Sequence, residues 1–211
     1  MSKKGRAATL DRKARLEAIQ KEQAKQARKR NLIIAAIAGP LVILIVVLAG
    51  VAIHQASSAT LGQDIQGLQT YTGLTRNHVT TDVAYKQNPP VGGDHDPTWL
   101  NCGVYDSPVH NENAVHSMEH GAVWITYKPD LPADQVAKLT DAAKGQSYVI
   151  VSPYQGLPAP VVASAWGYQV KLDSASDPRL EQFIRTFEQG PQTPEPGAAC
   201  VGGTGTPVQT P

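Results

Sequence analysis

The segment "GAVWITYKPDLPADQVAKLTDAAKGQSYVIVSPYQGLPAPVVASAWGYQVKL", residues 121–172, decides the fold. Residues 121–127, 147–152 and 160–172 are rich in β-branched and aromatic side chains, which favour strands. Between the first two of these, residues 132–145 carry apolar residues at helical spacing and end at a glycine, which predicts a helix. Strand, helix and strands in this order indicate an α+β domain.

A second helix is predicted directly after this segment, over residues 177–190. Asp177 is a suitable N-cap, Pro178 suits the first turn, and Gly190 ends the pattern. An apolar stripe on this helix is expected to pack in the core, and it consists of Leu180, Phe183, Ile184 and Phe187. We therefore expect a small α+β domain of about 120 residues over 69–190.

Residues 32–53, "LIIAAIAGPLVILIVVLAGVAI", carry no charge and are dominated by Leu, Ile, Val and Ala. At about 1.5 Å per residue a helix of this length spans about 33 Å, which matches a hydrocarbon core of about 30 Å. A cleaved signal peptide is the alternative, but its apolar core would be shorter, at about 7 to 15 residues. The sequence predicts a single-pass transmembrane helix.

The charges on the two sides of this apolar segment differ in sign. Residues 1–31 carry eleven Lys/Arg against three acidic residues, whereas the rest of the chain carries eight against fifteen. Because positive charge stays in the cytoplasm, we expect a basic cytoplasmic arm over 1–31, helical or disordered, and an extracytoplasmic domain after a linker over 54–68. The lipid bilayer is the expected partner, and the acidic outer part is not expected to bind nucleic acid.

The sequence contains two cysteines, Cys102 and Cys200, and both follow the apolar segment. An even count in an oxidising compartment favours one disulfide between them. Two free thiols, or Cys102 as a soft metal ligand, are the alternatives. Cys200 lies in a Pro/Gly/Thr-rich tail, residues 191–211, that is not expected to build a core of its own.

Histidines are concentrated in one part of the chain, which also contains a long segment without regular pattern, residues 86–115. Five of the six histidines lie between positions 78 and 120, namely His78, His95, His110, His116 and His120. Imidazole and carboxylate groups bind zinc and copper. We predict a copper or zinc site, or a site for a small polar ligand, with His95, His116 and His120 as its main residues and His78 and Glu119 as further contributors.

The motif "HSMEH", residues 116–120, can be placed on either kind of element. On a helix, His116 and His120 are at i and i+4 and share one face, so they can hold one ion. On a strand they are about 13 Å apart, and each needs partners from elsewhere, such as His95 or His78. The sequence leaves both geometries open.

The sequence favours a non-enzymatic role without deciding it, and no catalytic residue is assigned. Cys102 near His116 imitates a cysteine–histidine arrangement, but a disulfide removes the nucleophile. Ser117 lacks the glycine pattern of a nucleophile elbow. Glu119 and His120 are able to exchange protons, but nothing identifies a substrate.

Residues 88–127, "NPPVGGDHDPTWLNCGVYDSPVHNENAVHSMEHGAVWITY", carry the motif of a known family. They resemble the signature of an uncharacterised, mainly bacterial family, domain of unknown function 3105. The positions that match are Pro89, Pro90, Gly93, His95, Trp99, Asn101, Cys102, Gly103, Tyr105, Val115, His116, Ser117, Glu119, His120 and Gly121. The resemblance implies a membrane protein with an extracytoplasmic domain, and it implies no established activity.

Two functions from different classes remain open at this point. In the first, the membrane-anchored outer domain binds a transition metal or small polar ligand through its histidine cluster. In the second, the protein is an accessory or scaffolding subunit of a cell-envelope complex, and the histidines are structural.

Overall fold

The computed structural model describes residues 61–210 and, before them, residues 21–23, 25, 26, 28, 29, 36, 38 and 45–48, all of these helical. Most of the basic arm, the apolar segment 32–53 and the first half of the linker therefore lie outside the described residues. Within the described part of the chain, no helix combines the length and the apolar character needed to cross a bilayer.

The domain is built on one six-stranded mixed sheet. In space the strands follow the order β1-β6-β5-β3-β4-β2. The strands are β1 (Gln69–Thr70), β2 (Gly103–Val104), β3 (Val123–Tyr127), β4 (Val149–Pro153), β5 (Val161–Ala165) and β6 (Tyr168–Leu172), and the helices are α1 (Asn111–Glu119), α2 (Ala133–Ala143) and α3 (Pro178–Phe187). The α+β class predicted from the sequence is confirmed.

The centre of the sheet follows from the decisive segment of the sequence. Strands β3 and β4 pair in parallel, so a crossover must connect them, and α2 provides it. Every residue of β3 and β4 is buried, because the sheet is covered on both faces. These strands are therefore mostly apolar at consecutive positions and show no alternation of apolar and polar residues.

The segment 160–172 forms two strands and a tight turn. Strands β5 and β6 pair antiparallel, and Trp166 and Gly167 connect them. A two-residue connection is the shortest one that joins antiparallel strands. In sequence the turn is hidden, since Trp166 is itself apolar and continues the pattern of the strands.

Helix α3 forms as its signals indicate. The Asp177 side chain accepts a hydrogen bond from the backbone N–H of Arg179 at 3.0 Å, and Pro178 occupies the first helical position. The apolar stripe is buried in the core that α3 shares with β5 and β6. Residues 61–68, assigned to the linker, contribute to the same core through Leu61, Ile65 and Leu68.

Helix α1 corrects the expectation of a structureless segment up to residue 115. It begins at Asn111, and eight of its nine residues are buried. Its polar side chains bond to neighbouring loops: Asn113 Nδ2 donates to Thr98 O at 2.6 Å, and Ser117 Oγ donates to Leu100 O at 2.7 Å. Because polar and apolar side chains are buried alike, the sequence carries no amphipathic stripe by which to recognise this helix.

The C-terminal tail builds no core of its own, but it is attached to the domain by more than Cys200. Asn101 N donates to Thr204 O at 2.8 Å, and Val104 N donates to Gln209 O at 2.9 Å. The tail thereby lies along the segment that contains β2. Backbone hydrogen bonds hold it, which is why a composition poor in apolar residues is sufficient.

Candidate metal centre

Three parts of the chain bring histidines together beside α1. His78 and His95 lie next to each other on two extended segments that form a parallel bridge. Val79 N donates to His95 O at 2.7 Å, and His95 N donates to Asn77 O at 3.0 Å. His116 and Glu119 come from α1, where a separation of three residues places them on the same face.

The hairpin of β5 and β6 supports the loop that carries His95. Gly167 N donates to Val91 O at 2.7 Å, and Gln169 Nε2 donates to Pro89 O at 2.9 Å. The edge of the Trp166 ring system meets the His95 ring, with centroids 6.0 Å apart. The fold thus fixes this loop from the sheet side.

Four side chains lie close enough together to hold one metal ion, those of His78, His95, His116 and Glu119. Each offers one ligand atom, and these atoms all lie within 4.8 Å of one another. Four such atoms lie within about 3 Å of a common point, so a shift of roughly 1 Å per ligand reaches a metal–nitrogen distance of about 2.0 to 2.1 Å. We call these four residues the His₃Glu cluster.

Backbone carbonyls determine which ring nitrogen carries the proton in the three buried imidazoles near α1. His95 Nδ1 lies 2.8 Å from Gly93 O, His116 Nδ1 lies 2.6 Å from Asp96 O, and His120 Nδ1 lies 2.7 Å from Ala199 O. A carbonyl oxygen only accepts, so each Nδ1 must carry the proton. In the neutral ring each Nε2 then presents a lone pair, the arrangement that metal-bound histidines require.

These lone pairs point at other acceptors. His95 Nε2 lies 2.9 Å from Glu119 Oε2, yet it is buried and makes no hydrogen bond of acceptable geometry. His116 Nε2 lies 3.0 Å from His120 Nε2. Two facing acceptors repel each other unless a proton or a metal ion lies between them. A proton or a metal ion between the facing atoms would relieve this repulsion.

The environment of the cluster keeps its central ring neutral. Burial, followed by the neighbouring rings of His120, His95 and His78, lowers the pKa of His116 to about 4, although the bond to Asp96 acts in the opposite direction. At pH 7 the His116 ring is therefore neutral, which is the protonation state that metal binding requires. His78 is exposed to solvent while the other three members are buried, so solvent reaches the cluster at His78.

Every residue predicted for the site lies at or beside the cluster. His120 is outside the group of four, but its Nε2 contacts that of His116, so the helical geometry of "HSMEH" is the one that forms. Helix α1 contributes the pair of His116 and Glu119 to the group itself, where the sequence suggested His116 and His120. His110, also within the histidine-rich segment, lies apart and contacts Glu112 at 3.1 Å.

Within residues 61–210, the sulfur-containing residues do not take part in the cluster. Cys102 and Cys200 are joined in a disulfide, with their Cα atoms 5.4 Å apart. Met118 is fully buried in an apolar group with Val115 and Trp124. The donors at the site are therefore nitrogen and oxygen atoms.

Sequence reasoning did not identify the tail as part of this site. Glu195 Oε2 lies 3.7 Å from His120 Nε2, and Glu195 N donates to Glu119 O at 3.1 Å. Glu195 is 75 positions downstream of His120 in a Pro/Gly-rich segment, and no local pattern connects the two.

Gly121, directly after the site residues of α1, is expected to be sensitive to substitution. Its φ is +104°, and a Cβ atom would overlap the side chain of Gln189 and approach Thr193 Cγ2 at 3.1 Å. Gly121→Ala should lower the free energy of unfolding by about 2 to 4 kcal/mol, through backbone strain and displacement of Gln189. Urea denaturation measures the change.

Gly145→Ala is the matched control for this substitution. Gly145 also has a positive φ, +73°, but nothing lies within 4 Å of the Cβ that it would gain. We expect it to cost about 1 kcal/mol from strain alone. Equal losses for the two variants would contradict a steric role for Gln189.

The fold and the site together define a small α+β domain with a cluster of three histidines and a carboxylate, of which only His78 is exposed. Residues 78–202 match the family described as "Protein of unknown function (DUF3105)", and the chain belongs to this family. The matched region begins at His78 and contains the whole His₃Glu cluster as well as Cys200. Neither a curated protein nor a solved structure matches the chain significantly.

Proposed function

We propose that this protein binds a divalent transition-metal ion, zinc or copper(II), in the His₃Glu cluster. The observation that carries the proposal is the set of facing lone pairs, with His95 Nε2 buried 2.9 Å from Glu119 Oε2 and lacking a hydrogen bond. Structural histidines would direct their free nitrogens at donors. Here the Nδ1–H groups donate to backbone carbonyls, whereas His95 Nε2 faces Glu119 Oε2 and His116 Nε2 faces His120 Nε2.

The donor types select the class of ion. Imidazole nitrogen with one carboxylate oxygen suits zinc and copper(II), whereas copper(I) favours thiolate or thioether, and calcium favours oxygen ligands alone. The distance of 2.9 Å between His95 Nε2 and Glu119 Oε2 is that of two ligands at about 90° around an ion with bonds of about 2.0 to 2.1 Å. The remaining ligands must move inward on binding.

Metal loading of the full-length chain tests this function. The purified protein is stripped with a chelator, incubated with zinc or copper(II), freed of excess ion by gel filtration and analysed for metal. We expect about one ion per chain, and none after the same treatment with calcium or magnesium. Failure to retain either transition metal would overturn the proposal and favour structural histidines.

The proposal includes a membrane anchor, with residues 32–53 crossing the bilayer, the N-terminus in the cytoplasm and the metal-binding domain outside. The support is the uncharged apolar segment and the excess of basic residues before it. A disulfide is also typical of an oxidising compartment. Resistance to alkaline extraction from membranes and protease sensitivity of the domain in intact cells are the expected results. Release by alkali would contradict the anchor.

A further inference from the structure

The tail segment 195–200, here called the strap, holds the end of α1 that carries the site. Ala199 O accepts from His120 Nδ1 at 2.7 Å, and Glu195 N donates to Glu119 O at 3.1 Å. Gln189 extends the attachment, since its amide nitrogen donates to His120 O and its Oε1 accepts from Gly197 N at 3.2 Å. The strap therefore orients one imidazole and holds the backbone of the carboxylate ligand.

The disulfide is the covalent attachment of the strap to the domain, beside its hydrogen bonds. It joins Cys200, the last residue of the strap, to Cys102 across 98 positions of sequence, and Cys102 N also donates to Cys200 O at 2.7 Å. Both cysteines are buried. The strap itself is rich in small residues and Pro, with exposed Glu195, Pro196 and Gly197, so it contributes little apolar packing of its own.

We infer that the metal site matures only when the Cys102–Cys200 disulfide closes, because the strap then presents its carbonyl to His120 and holds Glu119. The inference rests on the proposed metal binding and concerns the regulation of the same site. Metal uptake would thereby follow oxidation of the chain. A reduced protein would have an incomplete outer shell around the ligands.

The covalent step is a thiol–disulfide exchange with a disulfide-bearing oxidant. One cysteine thiolate attacks the oxidant's S–S bond, and the second cysteine displaces the resulting mixed disulfide. The Cys102–Cys200 bond forms, the oxidant's S–S bond breaks, and the oxidant leaves as a dithiol that has received two electrons and two protons.

Zinc affinity of the double variant Cys102→Ser/Cys200→Ser, measured by chelator competition on the full-length chain, tests the inference. Loss of an outer-shell partner weakens metal binding by about 10- to 100-fold. We expect a loss in this range, with the wild-type affinity retained by Val208→Ser, an exposed tail substitution outside the strap. Equal affinity of the double variant and the wild type would overturn the inference.

Imidazole ¹⁵N NMR of the metal-free proteins separates a specific effect from general unfolding. In the double variant His120 should lose its fixed Nδ1–H tautomer, while His95 and His116 keep theirs, because Gly93 and Asp96 lie outside the strap. An unchanged His120 tautomer would contradict the inference.

If the double variant does not fold, Gln189→Ala decides the question, since it leaves the disulfide in place and removes the link between Gly197 and His120. Weaker zinc binding by this variant supports the inference, and unchanged binding overturns it. Absence of zinc binding in the wild type is a different result, which overturns the proposed function itself.

Discussion

His116→Ala should weaken zinc binding by the full-length chain at least about 100-fold and abolish retention of the ion through gel filtration. His116 is the central ring of the site: its centroid lies 4.9 Å from that of His78, 4.8 Å from that of His95 and 4.5 Å from that of His120. Loss of an outer-shell partner alone costs about 10- to 100-fold, so loss of a ligand should cost at least the upper value. Isothermal titration calorimetry measures the affinity.

His110→Ala is the matched control for this experiment. His110 immediately precedes α1, its side chain is 56% exposed, and it contacts Glu112 and not the cluster. We expect wild-type zinc affinity. Wild-type affinity in the His116→Ala variant as well would place the ion elsewhere and refute the assignment of the cluster.

Phe187→Ala should lower the free energy of unfolding by about 3 to 5 kcal/mol, the largest loss that we expect from a core substitution. Phe187 is fully buried at the end of α3 and contacts Tyr168 of β6 and Phe183, with ring centroids 4.6 and 4.4 Å away. Its removal leaves a cavity between α3 and the sheet. Urea denaturation with the disulfide intact measures the change.

Val208→Ala serves as the control for core burial. Val208 is 63% exposed, so its truncation should change the free energy of unfolding by no more than about 0.5 kcal/mol. If Phe187→Ala lowers the free energy of unfolding by less than 1 kcal/mol, the core must close around the missing ring, and α3 is held mainly by other contacts.

The energetics of the cluster depend on how its rings are held. The Nδ1–H bonds to Gly93, Asp96 and Ala199 fix His95, His116 and the neighbouring His120 in the tautomer that the proposed metal binding requires. Because these side chains are already ordered, the binding of an ion would cost less conformational entropy than binding to mobile side chains. The same preorganisation keeps His95 Nε2 and Glu119 Oε2 close in the protein without the ion, which costs stability that binding would restore.

Elements with a one-sided or continuous apolar pattern could be predicted from the sequence. Helix α3 has a capping residue, a proline and an apolar stripe, and β3 and β4 consist mainly of β-branched and aromatic residues. Helix α1 has neither kind of signal because its polar residues are buried against loops. The turn at Trp166 and Gly167 is hidden because a tryptophan occupies it.

The residues of the candidate site could be predicted from the sequence, but their arrangement in space could not. The histidine-rich segment and the i, i+4 spacing of His116 and His120 are local features, and they indicate the part of the chain in which the cluster lies. His78 and His95 form a bridge between two irregular segments, and no periodic pattern in the sequence predicts it. Long-range contacts such as that between Ala199 and His120 cannot be predicted from the local pattern of a single sequence.

The backbone pairing of the tail with β2 has a consequence for self-association. Val104 exchanges hydrogen bonds with the tail on its open side, donating to Gln209 O at 2.9 Å and accepting from Val208 N at 2.8 Å. An uncovered outer strand offers such groups to any other chain and acts as a template for intermolecular pairing. A chain cut after Cys200 lacks the last eleven residues and would expose this margin of the sheet, so we expect it to aggregate more readily than the whole chain.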